Sequence, residues 1–199
     1  MALKSKETTS NDGLTFITRG VNDKKKVMIY GQDGSGKSTF AETYCKKHGL
    51  NPVVIDIDDT NFTSLPIVVI DYDDNNKRNW LKIRDTFKKV ALTEDFDTII
   101  IDGVTSLLEL LVSDAKGMKA YKDRSDRFNE LLLLLQRSRK NIIYIGQIDM
   151  KVIYSDDAQS NKSVIKVNSI VNEKYCCTID NGKFSVKTEK YRRVEPKEE

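Results

Sequence analysis

Lys37 and Ser38 stand in a run, MIYGQDGSGKSTFAETY, in which Gly31, Gly34 and Gly36 fall within six positions behind three apolar or aromatic residues. Glycine is costly to order, so such a cluster marks a backbone that turns, or approaches a ligand, where a Cβ would clash. Gly31, Gly36, Lys37 and Ser38 fit the pattern GxxxxGK(S/T), a loop whose chemistry is the cradling of a triphosphate. The N–H groups from Gly34 through Ser35 and Gly36 to Ser38 would point at phosphate oxygens, aided by the positive end of the following helix. Lys37 would reach the β- and γ-phosphates as a point charge, Ser38 would ligate Mg²⁺, and Thr39 would add a hydroxyl near the α-phosphate. Gln32 and Asp33 complete the loop. ATP and Mg²⁺ are the expected cofactors.

A phosphate loop needs a second acidic element for the metal. Asp102 ends the apolar or β-branched run Thr98 to Ile101, and a carboxylate at the end of a buried strand lands beside the loop in an open α/β sheet. It would hold the water shell of Mg²⁺, which dehydrates reluctantly. Hydrolysis further needs a group to orient water in line with the γ-phosphate. The run VVIDID brings Asp56 and Asp58 to the same edge, with alternation placing both on one side of that strand. Asp58 is the first choice for polarising the water, and Asp56 for bracing the loop. No glutamate follows Asp102; Gly103 stands there. Gln147, at the end of NIIYIGQ, suits sensing of the γ-phosphate by hydrogen bonding.

The elements that must position these residues can be read along the chain. KVMIYG is a buried strand running into the glycine loop, and STFAETYCKKHG is a helix stopped at Gly49. PVVIDID and LPIVVIDY follow as strands. A helix is expected over residues 76–92, with Trp80, Ile83, Phe87 and Val90 on one face. Then come the strand DTIIIDG, helices over VTSLLELLVSDA and SDRFNELLLLLQRSRK, and the strand NIIYIGQ. Near the end, alternating segments flank Asn181-Gly182, a dipeptide that favours a type I′ hairpin. Strand–helix alternation predicts an α/β domain with a mostly parallel sheet, extended by a C-terminal β-hairpin. Residues 1–12 read as a flexible tail, with LTFITR a short strand after it; residues 13–193 form one domain, and 194–199 a flexible charged end.

Composition narrows the classes. The 199 residues carry 39% hydrophobic and 32% charged side chains, which suits one polar, soluble globular domain. A net charge of +3 is too mild to imply a nucleic-acid partner by itself. Three cysteines without a CxxC pair and a single histidine argue against zinc and for reduced thiols in a cytoplasm, the host's if the source is a virus. The opening residues lack the apolar core of a signal peptide, and the apolar run Leu131 to Leu135 is too short to span a bilayer, so no membrane is expected.

A glycine-loop strand, a strand ending in acid-x-acid, a short strand ending in Asp102, a strand ending in Gln147 and a closing hairpin together resemble the RecA-like P-loop ATPase core. The short chain is similar to the minimal RecA-like ATPases of bacteriophages, some of which assist single-strand annealing in recombination. The resemblance spans about residues 25–193. It implies an Mg²⁺-dependent ATPase stimulated by single-stranded DNA, a homo-oligomer with ATP sites at subunit interfaces, and a single-stranded-DNA-binding protein as a further partner. It places Asp58 at the catalytic carboxylate, although aspartate is shorter than the family's usual glutamate. Gln147 matches the switch between nucleotide and DNA loop, which puts residues 148–163 at that loop. Lys151 and Tyr154 there would contact phosphate and stack on a base, with Asp156 and Asp157 opposing them. A second DNA-binding candidate is Lys116, Lys119, Lys122 and Arg124 around Tyr121. Lys190 and Arg192, two apart on a strand, match the basic pair that RecA-like assemblies set against a neighbour's γ-phosphate.

Two other functions fit the glycine loop. A small-molecule kinase would carry an arginine-rich lid, and QRSRK looks instead like a helix end. A nucleotide-dependent switch or assembly factor would bind ATP and turn it over slowly, a reading that Gly103 keeps open.

Overall fold

The computed structural model describes residues 6–9, 15–18, 24–60, 64–71, 79–112, 119–147, 167 and 170–191. Its main body is a seven-stranded sheet. The strands of that sheet are β3 (Lys26–Gly31), β4 (Pro52–Asp56), β5 (Ile67–Val68), β6 (Thr98–Asp102), β7 (Asn141–Gln147), β8 (Glu173–Asp180) and β9 (Lys183–Tyr191). Their spatial order is β5-β4-β6-β7-β3-β8-β9, with every pair parallel except β8–β9. The mostly parallel sheet with its C-terminal antiparallel hairpin is the RecA-like P-loop core expected from the motif order.

Parallel central strands are buried on both faces, so they are apolar at nearly every position rather than at alternate ones. Alternation instead divides their side chains between two cores. Val27 and Ile29 of β3 join Val54, Ile100, Ile143 and Ile145 beneath helix α1 (Lys37–Lys47), which contributes Ala41, Tyr44 and Cys45. Met28 and Tyr30 turn the other way, with Ile55, Ile99, Ile101 and Tyr144. That face is covered by α2 (Trp80–Leu92), α3 (Val104–Leu110) and α4 (Lys119–Arg137), through Ile83, Phe87, Leu107, Phe128 and Leu131. One helix on one face and three on the other leave the carboxyl ends of β3, β6 and β7 in register, with Gly31 opposite Gln147 and Asp102 opposite Ile145.

The helix over residues 76–92 starts at Trp80, where the Asn79 side chain accepts a hydrogen bond from Lys82 N at 3.1 Å; residues 76–78 lie outside the described residues. Its expected face is buried at Ile83, Phe87 and Val90. Asn181 and Gly182 both take positive φ, 48° and 75°, as a type I′ turn requires.

Three elements differ from expectation. Lys6–Thr9, placed in a flexible tail, forms strand β1, antiparallel to β2 (Thr15–Thr18) in a separate two-stranded sheet. Threonine-rich KETT and TFIT favour this pairing, since β-branched side chains fit a pleated surface. Among the described residues of LPIVVIDY, which run to Asp71, only Ile67 and Val68 join the sheet: they pair with Val54 and Ile55 at the edge, and Val69 is exposed. Helix α4 begins at Lys119, several residues before SDRFNE, because KAYKDR is built from good helix formers.

No helix among the described residues is long and apolar enough to cross a membrane. The three cysteines are free and buried. Burial pushes the Cys45 thiol up to about 12, with Asp97 and Glu42 adding to the shift, and pushes Cys177 up to about 11. Thiolate is the reactive form, so these groups should be inert in the native protein. Titration with a disulfide reagent at pH 8 should show little reaction before unfolding and all three thiols after it; rapid native reaction of Cys45 would contradict the packing.

Candidate functional site

The glycine loop begins where β3 comes against β8. A Cβ on Gly31 would strike the carbonyl oxygen of Cys177, so the strand closes against its neighbour only with glycine there. Gly34 and Gly36 take φ of 71° and 78°, in the left-handed region that favours glycine, and Gly36 is the N-cap of α1. Ser35 N donates to Gln32 O at 3.2 Å, and Phe40 N donates to Gly36 O at 2.9 Å. The turn is thereby held by its own backbone. The Lys37 ammonium curls over it, donating to Gln32 O at 2.8 Å and Gly31 O at 3.3 Å, with Asp33 3.9 Å away. The charge is thus centred in the loop's mouth, where phosphate oxygens would collect.

Opposite the loop, Ser38 Oγ donates to Asp102 Oδ2 at 3.2 Å. Thr60 Oγ1 donates to the same oxygen at 2.6 Å, and Thr60 N donates to Asp56 Oδ1 at 3.1 Å. Desolvation raises the Asp102 pKa above the usual carboxylate range, and the charges of Asp56 and Asp58 push the same way; the Thr60 and Ser38 hydroxyls offset part of this. A carboxylate so placed favours a cation. Among the described residues no three His, Cys, Asp or Glu groups gather to hold a metal alone. Magnesium takes one or two protein oxygens and completes its shell with phosphates and water. Ser38 and Asp102 supply hard oxygen donors of the right kind, so the residues fit the ion.

Asp58 sits differently from its expected place. β4 ends at Asp56, which is buried, and alternation stops there; Asp58 follows in a bend and is exposed. The two carboxylates therefore do not share one side of a strand. Asp58 instead lies over Gly103: a Cβ built on Gly103 would come within 2.5 Å of the Asp58 carboxyl group. The space that a side chain after Asp102 would use is filled by Asp58. Gly103 also takes φ of 90°, as the residue that turns β6 into α3.

A pocket of about 390 Å³ unites these groups, with Gly34, Gly36, Lys37, Ser38, Thr39, Asp58, Asp102 and Gln147 on its wall. Asp33 is there too, whereas Gly31, Gln32 and Ser35 form the loop behind it. Sequence reasoning missed four lining residues, Thr60, Ile145, Gly146 and Phe184. Thr60 had a local signal, since a residue a few positions after an Asp often closes a turn on its carboxylate. Phe184 had none, because only the hairpin register brings it to the loop. Lys190 is remote from this pocket: it pairs with Lys174 near the start of β3, while the loop lies at the other end. Lys122 is exposed and Arg124 half-buried on α4, and neither lines the pocket. The expectations for Lys116, Lys151, Tyr154 and Arg192, and for the side chains of Lys119 and Tyr121, lie outside the described residues.

Two outcomes follow from this geometry. Gly103→Ala should displace Asp58 and cut ATP turnover on the order of a hundredfold with nucleotide affinity nearly kept; its positive φ adds a stability loss of about 1–2 kcal/mol, read separately by Tm. Turnover like the parent's would remove Asp58 from the reaction. Asp102→Asn retains an acceptor for Thr60 and Ser38 but removes the crowded charge. The native state binds the Asp102 proton more tightly than the unfolded chain does, so its ionisation opposes folding above the native pKa, and this is relieved as pH falls. The ligand-free Tm of Asp102→Asn should therefore equal or exceed the parent's at neutral pH, while the Tm gain from ATP with Mg²⁺ disappears.

A model of the AAA domain family matches residues 23–175. No curated protein sequence matches the chain. Among solved structures, the flagellar accessory protein FlaH from Methanocaldococcus jannaschii is similar at 16% identity and a TM-score of 0.48, over 83% of this chain and 78% of that one. The family match runs from β3 into the start of β8 and takes in every group on the pocket wall except Phe184, so the chain belongs to the AAA domain family, a family of nucleotide-hydrolysing ATPases.

Proposed function

We propose that this protein is an Mg²⁺-dependent, RecA-like ATPase of bacteriophage type that acts on single-stranded DNA in recombination or replication. The observation that carries the hydrolytic part is the Asp58 carboxylate, exposed on the pocket rim and seated over Gly103. Lys37 neutralises the β- and γ-phosphates, and Ser38 and Asp102 hold the ion. Magnesium, when bound, withdraws charge from the phosphoryl group being transferred. Asp58 accepts a proton from the attacking water and orients it. Gln147 hydrogen-bonds to the terminal phosphate.

The DNA part rests on the resemblance and is supported by the place of Gln147, which lines the pocket and is the last residue of β7. Residues 148–163, the expected DNA loop, follow it directly, so a shift of Gln147 with phosphate state is passed to them. Assembly through a basic group acting in trans is supported by Lys190. Its distance from the glycine loop of its own chain leaves a neighbour's γ-phosphate as the target that this role would need.

ATP hydrolysis measured with and without single-stranded DNA tests the reading, with Lys37→Ala as control. DNA should raise turnover several-fold, and Lys37→Ala should abolish it in both conditions. Hydrolysis indifferent to DNA, together with no DNA binding at low salt when ATP is present, would sink the DNA assignment and leave the ATPase.

A further inference from the structure

Phe184 is 64% exposed, yet it forms part of the pocket wall. Its ring lies against the glycine loop: Cδ1 is 3.3 Å from where a Cβ on Gly36 would stand. Two more apolar side chains share its face of the hairpin. Ile179 stands directly opposite Phe184, and Val186 follows two residues along β9; both are more than one-third exposed. The strand otherwise carries Lys183, Ser185, Lys187, Thr188, Glu189 and Lys190, and its other exposed aromatic, Tyr191, stands at the far end; an exposed aromatic beside a phosphate loop is not explained by folding alone.

Strand order gives this patch a direction. Asp102 and Gln147 end β6 and β7 on one side of β3, and the hairpin carrying Phe184 lies on the other, beyond β8. Lys37 stands between them at the start of α1. A nucleoside triphosphate with its terminal phosphate toward Asp102 and Gln147 therefore extends its nucleoside toward the hairpin. We propose that Phe184, flanked by Ile179 and Val186, is the seat of the aromatic base of the bound nucleoside triphosphate. The base stacks on the ring at the open side of the pocket, and the phosphates fill the loop. Stacking on an aromatic face accepts any base, so Phe184 supplies affinity for the nucleoside rather than a choice among bases.

The inference rests on the pocket holding a triphosphate, and the test separates the two. Dissociation constants for ATP and for inorganic triphosphate, each with Mg²⁺, are measured on the full chain and on Phe184→Ala, Phe184→Tyr and Lys37→Ala. Phe184→Ala should weaken ATP by roughly tenfold or more and leave inorganic triphosphate unchanged, while Phe184→Tyr stays near the parent. ATP affinity that needs Lys37 but is indifferent to Phe184 overturns this proposal alone. The same holds if Phe184→Ala weakens both ligands equally, since Phe184 would then only support the loop. Binding of both ligands without need of Lys37 overturns the phosphate pocket, and the base seat with it.

Discussion

Asp56, Asp58 and Asp102 converge on one rim because β4 and β6 run parallel and stop on the same rung, with Asp56 opposite Asp102. Burial withdraws from Asp102 the water that would screen its charge, and the site is built around that debt of positive charge. Two hydroxyls from different elements, Ser38 on α1 and Thr60 after β4, spend their protons on a single Asp102 oxygen. Asp56 takes the Thr60 backbone N–H and so holds that turn in place. Lys37 stays in the mouth, fastened to loop carbonyls rather than to a carboxylate of the rim. On the proposed reading the cluster is a preorganised receptor for a cation carried by phosphate, with the packed strands beneath holding the crowded carboxylates in place.

Those strands work because register and burial reinforce each other. β3 sends Val27 and Ile29 into one core and Met28 and Tyr30 into the other, while Gly31 ends opposite Gln147. A slip by one residue would exchange the two cores and carry Gly31 away from both Gln147 and the Cys177 carbonyl that only glycine can approach. The hydrophobic packing that stabilises the sheet is therefore what aligns the glycine loop, Asp102 and Gln147 to within two residues of one another along the strands.

Legibility in the sequence followed the range of the interaction. The strand ending in Gly31, the helix from Lys37 and the strand ending in Asp102 are written in continuous apolar runs and a glycine spacing, so local chemistry suffices. The Asn181-Gly182 turn is equally local, since both positions need positive φ. Asp58 lines the pocket, though not by strand alternation: periodicity predicts its side only while the strand lasts, and β4 stops two residues earlier. That Asp58 fills the space over Gly103 depends on β4 and β6 being neighbours, which no local pattern reveals. LPIVVIDY shows the opposite failure, because β propensity over eight residues gave only two paired ones among those described, at an edge where one neighbour is available.

The hairpin runs alongside β3 as a two-stranded ribbon at one edge of the sheet. Phe184 at its turn lies on the glycine loop, whereas Lys190 lies six residues along the same strand, about 20 Å away at the spacing of an extended chain. β9 is hydrogen-bonded to β8, and β8 to β3, so the ribbon is tied to the strand that carries the loop. On the proposed reading, one end of the ribbon touches the nucleoside of its own subunit, and Lys190, half-buried, stands at the other. β3 pairs with residues 173–177, the half of β8 that lies opposite Lys190, so the sheet fixes that end. The turn carrying Phe184 extends beyond Gly31 onto the glycine loop and is held by β8–β9 pairing alone, so a base seated on Phe184 would meet the less constrained end of the ribbon.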